Sequence, residues 1–409
     1  MVALASRGGI LPVRMRSFQD ILRTYQYFGG IAFIAAVFLT PLAIRAAHRL
    51  GVLDIPDQNL KPHARPIPYL GGAAICLAWA AALAAAMISG VVREWHVLLP
   101  LLLGGIGMSV LGLVDDIRGV LPKLRLAIGA VVVAATILST GTGFRLADSL
   151  LAGINTALGG AGLQLPPLVD IPISVLLSVF IVLGACNSTN LIDGLDGLCS
   201  GVTGIIALGF FLLASHLAIW DFSDTGDPIR LVLAIAMFGA ALGFLPWNFN
   251  PARIFMGDAG SVLLGYNCGM LILLFAERSG ILRWFVAALM IFALPVFDTA
   301  LAMFRRWRAG RSIFEGDRSH FYDQLVQRGL SVRQTVLVCY AVTLLYAAIG
   351  LLLIVLHTGP DGVPVPLIRL RYALPVYVGV CALTAILAWR AGLTHPEEWR
   401  PPPPPSAGH

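Results

Sequence analysis

The oxygen-bearing side chains of this chain collect in a few short stretches, and their types suggest one kind of chemistry. Asp115 and Asp116 stand together in "LVDDIRG". Asn190, Asp193 and Asp196 recur at three-residue spacing in "NSTNLIDGLDGL". Asp258 sits in "FMGDAGS", Asp298 in "LPVFDTALAMFRRW", and Arg318 and His320 in "DRSHFYDQL". Carboxylate and carboxamide oxygens without a histidine or cysteine cluster suit a hard cation, Mg²⁺ or Mn²⁺. Mg²⁺ usually keeps several waters and shares its shell with substrate phosphates. The chain's lysines are Lys61 and Lys123, and Lys123 follows the acidic pair closely. With the arginine-rich stretch from Arg305 onward it supplies positive charge for phosphate oxygens. Acids, a divalent cation and phosphate-binding bases together point to phosphoryl transfer, in which a protein mainly positions groups and neutralises charge.

The surroundings of these residues are apolar. Of 409 residues 58% are hydrophobic and 12% charged, with a mean hydropathy of +0.83. Soluble domains carry about 25% charged residues. Runs near twenty apolar residues recur along the whole length, so the expected fold is all-α: a polytopic bundle of about eleven transmembrane helices. The runs are continuous and do not alternate, which argues against a transmembrane β-barrel. The expected spans lie near 28–48, 69–90, 97–114, 123–140, 171–187, 198–219, 230–247, 259–276, 282–303, 333–356 and 372–391. They make one transmembrane catalytic domain, 28–391. Residues 1–27 form an N-terminal segment and 392–409 a proline-rich disordered tail. The six cysteines fall in or at the ends of spans without a C-x-x-C pair and read as small apolar fillers.

Positive charge sets the topology. Lys61, Arg65, Arg118, Lys123, Arg125, Arg253 and the dense Arg305–Arg333 set lie on the odd-numbered loops, which the positive-inside bias places in the cytoplasm. The arginines Arg7, Arg14, Arg16 and Arg23 ahead of the first span run against that orientation. The net charge of +6 reads as topology, and no nucleic-acid partner is expected. All the acids except Asp298 then fall at cytoplasmic ends of spans. A charge at the bilayer centre costs roughly 2.5–3.5 kcal/mol, so these groups must be solvated, paired or bound to a cation. Ordinary explanations stand beside the functional one. Asn, Asp and Gly favour turns, Asp258 could cap a helix, Lys123 could be an interfacial anchor, and Asp298 could pair with Arg305 or Arg306. A helix C-terminus gives no reason for two adjacent anions, because its dipole prefers cations.

Taken in order, "LKPHARPIPYLGG", "LVDDIRG" with Lys123, "NSTNLIDGLDGL", "NFNPARIFMGDAGS" and "DRSH" resemble the polyprenyl-phosphate N-acetylhexosamine-1-phosphate transferase superfamily, of the glycosyltransferase family 4 type. The match runs from about residue 54 to 330. The resemblance implies transfer of a sugar phosphate, N-acetylglucosamine-1-phosphate first, from a UDP-sugar to undecaprenyl phosphate, with release of UMP. It implies Mg²⁺ (or Mn²⁺) held by Asn190 and Asp258, Asp115 and Asp116 as the catalytic acidic pair, and a nucleotide and substrate set of Lys123, Asp193, Asp196, Arg318 and His320. It also implies a bacterial inner-membrane enzyme that initiates a cell-envelope glycan, such as cell-wall polymer or lipopolysaccharide O-antigen. Members usually carry several histidines in the last loop. Here His320 is followed by "FYDQL", which argues against the muramyl-pentapeptide branch and leaves the sugar open. Monomer and homodimer are both compatible with the sequence. Two other classes share some features. An intramembrane prenyltransferase also uses N-x-x-D-x-x-D but wants a second aspartate-rich motif of that form. A secondary transporter would place its ionisable residues near the midplane, often with repeat symmetry.

Overall fold

The computed structural model describes residues 17–55, 66–157, 160, 164–220, 226–276, 281–310, 320–358, 364–366, 368 and 370–394. Its elements in chain order are α1 (Phe18–Leu50), β1 (Leu53–Asp54), β2 (Ile67–Pro68), α2 (Gly71–Ile88), α3 (Trp95–Arg118), α4 (Pro122–Thr140), α5 (Leu146–Ala157), α6 (Pro167–Ile192) and α7 (Leu198–Trp220). There follow α8 (Asp227–Asn248), α9 (Gly257–Phe275), α10 (Ile281–Ile291), α11 (Ala293–Arg308), α12 (Phe321–Gln327), α13 (Val332–Leu352), β3 (Leu356–Thr358), β4 (Pro364–Pro366) and α14 (Leu370–Arg390). Two short antiparallel ribbons, β1 with β2 and β3 with β4, complete it.

Ten of these helices are long and apolar enough to cross a membrane. The pair α10 and α11, bent by 73° at its break, can serve as an eleventh. Each expected span falls on one helix or, for 282–303, on that bent pair. The fold is thus a polytopic helical one, as the apolar runs required. The α10–α11 break is the main departure from the expected straight span. α11 restarts at Ala293 with Pro295 in its first turn, where a missing N–H costs no intrahelical bond. α1 starts ten residues ahead of the expected 28. Ser17 and Asp20 cap it reciprocally, the Asp20 N–H donating to Ser17 Oγ at 3.2 Å and the Ser17 N–H to Asp20 Oδ2 at 3.1 Å.

α9 forms the centre, packed against α2, α3 and α6 and almost wholly buried, with α8 nearly as enclosed. α4 and α14 turn most of their apolar surface outward, as helices facing lipid do. The short helix α5 lies in what reads from sequence as a loop. It is tied to α6 by the Asp148 N–H donating to Asp170 Oδ1 at 2.9 Å and the Ala147 N–H to Ser174 Oγ at 2.8 Å. Arg145 Nη2 donates to Asp148 Oδ2 at 2.6 Å. The Leu165 N–H donates to Asp148 Oδ1 at 2.8 Å, and this bond with the Arg145 charge holds the Asp148 carboxyl below the usual carboxylate range. At one end of the bundle the C-termini of α3 and α6 meet the N-termini of α4 and α9, and the acids lie there.

Candidate active site at the helix ends

Four helix termini bring the polar groups together, and an arginine bridges them. Arg125, in the first turns of α4, points Nη1 at both Asp115 Oδ2 (2.6 Å) and Asp258 Oδ2. Its Nη2 lies 3.5 Å from Asn190 Oδ1. Asn190 Nδ2 in turn donates to Asp258 Oδ1 at 2.7 Å and to Ser261 Oγ at 3.0 Å. Asp115 Oδ1 accepts the Val120 N–H at 2.6 Å just past the end of α3. Residues 115, 190 and 258, far apart in sequence, therefore border one spot.

Asp116 faces the start of α9. Its Oδ1 accepts the Asp258 N–H at 2.9 Å and its Oδ2 the Ala259 N–H at 3.1 Å. These are N–H groups of a helix first turn, which have no intrahelical acceptor and favour an anion. Gly257 permits the approach: its φ is +64°, and a Cβ there would stand 2.5 Å from Asp116 Oδ2. The first strand pair braces the same corner. The Phe255 N–H donates to Pro68 O at 2.9 Å and the Gly72 N–H to Met256 O at 2.9 Å, which carries Tyr69 over the cluster. Burial first, then the charges of Asp116, Asp258, Asp193 and Asp54, push the Tyr69 phenol far up, so it stays protonated.

The turn after α6 forms the other wall. Asp193 caps α6, and burial, followed by the charges of Asp258, Asp116 and Asp196, raises its carboxyl well above the ordinary value. It therefore shares the field of Asp116 and Asp258. Asp196 staples the neighbouring loop: its Oδ2 accepts Asn250 Nδ2 at 2.9 Å and the Ala252 N–H at 3.0 Å. His320 is buried, 4% exposed, with Nδ1 2.7 Å from Asp298 Oδ2.

Residues 98–276, which contain Asp115 through Asp258, match glycosyl transferase family 4. A probable undecaprenyl-phosphate N-acetylglucosaminyl 1-phosphate transferase of Bacillus subtilis (strain 168) is 32% identical over 79% of this chain and 83% of its own. A decaprenyl-phosphate N-acetylglucosaminephosphotransferase of Mycobacterium tuberculosis is 30% identical over 81% of this chain and 83% of its own. A phospho-N-acetylmuramoyl-pentapeptide-transferase of Desulforudis audaxviator is 31% identical over 79% and 96%. The chain belongs to glycosyl transferase family 4. As a family 4 protein with ten or eleven membrane-length helices among the described residues it is a multi-pass membrane protein. The muramyl-pentapeptide relative matches at nearly the same identity as the N-acetylglucosamine ones, so overall identity does not separate those branches.

The structure unites Asp115, Asp116, Asn190 and Asp258, and sets Asp193 and Asp196 on the adjoining turn. Lys123 is exposed at the second position of α4, two residues from Arg125. Arg318 lies outside the described residues. Asp298, for which Arg305 and Arg306 are the sequence partners, holds His320 and the Phe321 N–H (2.8 Å). Arg125 and Tyr69 are the contributors that sequence reading passed over. The signal for Arg125 was "PKLRL", a second cation in the same helix turn as Lys123. Among the described residues no three His, Cys, Asp or Glu side chains form a ready-made metal cage. The donor set on Arg125 is nevertheless two carboxylate oxygens and one amide oxygen facing a single positive group, which is the ligand chemistry a hard divalent ion takes.

Proposed function

We propose that this chain transfers N-acetylhexosamine-1-phosphate, N-acetylglucosamine-1-phosphate first, from a UDP-sugar to undecaprenyl phosphate. The products are undecaprenyl-diphosphate-sugar and UMP, formed at the cytoplasmic face of a bacterial inner membrane as the first step of an envelope glycan. The observation that supports it is the meeting of Asp115, Asn190 and Asp258 on Arg125 at one end of the bundle. The family membership and the relatives' names agree with it.

In this reading an oxygen of the lipid phosphate attacks the β-phosphorus, and the bond from that phosphorus to the UMP oxygen breaks. A phosphate monoester has its second pKa near 6, so the acceptor is largely dianionic at neutral pH and there is little proton to remove. The acidic pair therefore acts by placement. Asp116 spends both oxygens on the N-terminal N–H groups of α9 and fixes Asp258. Asp115 holds Arg125, and Arg125 offsets the repulsion between Asp115 and Asp258. Asn190 and Asp258 would hold Mg²⁺ or Mn²⁺, which when bound neutralises the diphosphate oxygens and stabilises departing UMP. Lys123, exposed at the start of α4, offers a point charge to incoming phosphate. A small cleft lined by Met108, Leu111, Leu126, Leu183 and Val262 also has Arg125 in its wall, which sets apolar surface beside the cation.

The test incubates purified protein with undecaprenyl phosphate, Mg²⁺ and a panel of UDP-sugars and identifies lipid products by mass. The expected product is undecaprenyl-diphosphate-N-acetylglucosamine with stoichiometric UMP. Absence of any lipid-linked diphosphate sugar across the panel would overturn the proposal.

A further inference from the structure

Residues 320–322, at the end of the stretch that departs from the family's usual histidines, join Asp298 in a buried chain of contacts. Asp298 on α11 accepts the Phe321 N–H at 2.8 Å through Oδ1 and meets His320 Nδ1 at 2.7 Å through Oδ2. An ionised carboxylate can only accept, so it selects the ring form with its proton on Nδ1. The His320 ring stacks on Tyr322, centroids 5.4 Å apart and planes 6° from parallel. The Tyr322 hydroxyl donates to Leu191 O at 2.8 Å, a carbonyl in the last turn of α6 that has no partner further along the helix. Burial first, then Asp323, Asp298 and Asp193, push the Tyr322 phenol well up, so it remains a donor. Gly194 makes room: a Cβ there would collide with the Tyr322 hydroxyl.

All three side chains are nearly closed off, Asp298 at 3%, His320 at 4% and Tyr322 at 5% exposed. Polar groups buried to this degree are costly unless satisfied, and a satisfied network fixes one arrangement. Its endpoint is informative. Leu191 follows Asn190, whose side chain holds Asp258, and precedes the Asp193–Gly194 turn by two residues. Movement of the Leu191 carbonyl would tilt Asn190 and Asp193 together.

We propose that Asp298, His320 and Tyr322 are positioning residues, a relay from α11 through α12 that fixes the Leu191 carbonyl and so aims Asn190 and the Asp193 turn at the sugar nucleotide. This rests on the transferase reading above. None of the three need touch the substrate; Tyr322 does in this chain, by a hydroxyl, what a shorter side chain at that place could not reach to do. The relay also ties the half of the bent span that follows the break to the acidic cluster.

The experiment measures steady-state kinetics of UMP release for Tyr322→Phe, Asp298→Asn and the double variant, together with the melting temperature of each and its rise on adding UMP. Tyr322→Phe keeps the ring stack and loses one neutral hydrogen bond, so kcat should fall about three- to tenfold. Asp298→Asn presents an amide N–H₂ to one of two donors and should cost about ten- to a hundredfold in kcat. Without ligand the melting temperature of Tyr322→Phe should stay near wild type and that of Asp298→Asn should fall, while the UMP-induced rise shrinks in both. Because the residues act in series, the double variant should be no slower than Asp298→Asn alone. Multiplicative effects, wild-type kinetics in Tyr322→Phe, or activity lost only in step with melting temperature would each overturn the relay. A wild-type protein that releases no UMP would instead overturn the transferase reading.

Discussion

Replacing Arg125 by glutamine removes the one cation that, among the described residues, touches Asp115 and Asp258 together. Hydrogen bonds to charged groups contribute about 1.5–3 kcal/mol each. The side chains of Arg125, Asp115 and Asp258 retain 23%, 13% and 23% exposure, so solvent screens the pair and the lower end applies. Two such bonds give about 3 kcal/mol, or roughly a hundredfold in kcat/KM if the arrangement is needed in the transition state. Arg125→Lys keeps a point charge for the two acids, both of which meet the single nitrogen Nη1, but has no Nη2 to face Asn190 Oδ1, so it should lose less, about tenfold. The assay is the initial rate of UMP release from UDP-N-acetylglucosamine with undecaprenyl phosphate, at saturating and limiting Mg²⁺. Removing Asp115 as well should restore part of the loss, because the surviving like-charge repulsion with Asp258 disappears. Arg125→Gln with activity within about threefold of wild type, at every Mg²⁺ concentration, would refute the idea that this guanidinium organises the acids.

Three other outcomes follow from the geometry. Asp116→Asn turns one acceptor into a donor facing the Asp258 or Ala259 N–H, and should cost about 1–3 kcal/mol of stability in a denaturation series while lowering activity. Arg230, 2% exposed, joins Asp227 at 2.8 Å and donates from Nε and Nη2 to Leu274 O at 2.9 and 2.6 Å; Arg230→Met should lower thermal stability, by about 3–5 kcal/mol, with the kinetics of surviving protein intact. The depressed Asp148 carboxyl contributes stability that is present above the unfolded carboxylate value of about 3.9 and is lost as pH falls through its lower folded value. Thermal unfolding followed from pH 7 to the acid side of about 4 should show that loss in wild type, and Asp148→Asn should remove this component of the pH dependence.

The chain's sequence determined the elements. Apolar runs of membrane length have one economical solution in lipid, a helix, and every expected span coincides with a helix or the bent pair. It also singled out a small set of acids, because charge amid such apolarity is costly enough to need a reason. What it could not show was who faces whom. Asp115 and Asp258 are 143 residues apart, and their shared partner Arg125 looks from sequence like one more topological cation. Asp298 looks like a partner for the arginines about two turns later on its own helix, yet it holds His320 and α12. α5 lacks the length of a span and reads as loop until Asp170 and Ser174 of α6 meet its first turn. Local periodicity and hydropathy act within a few turns and are written in adjacent residues. Pairings among helix ends depend on how the bundle packs around α9, and only the tertiary structure decides that.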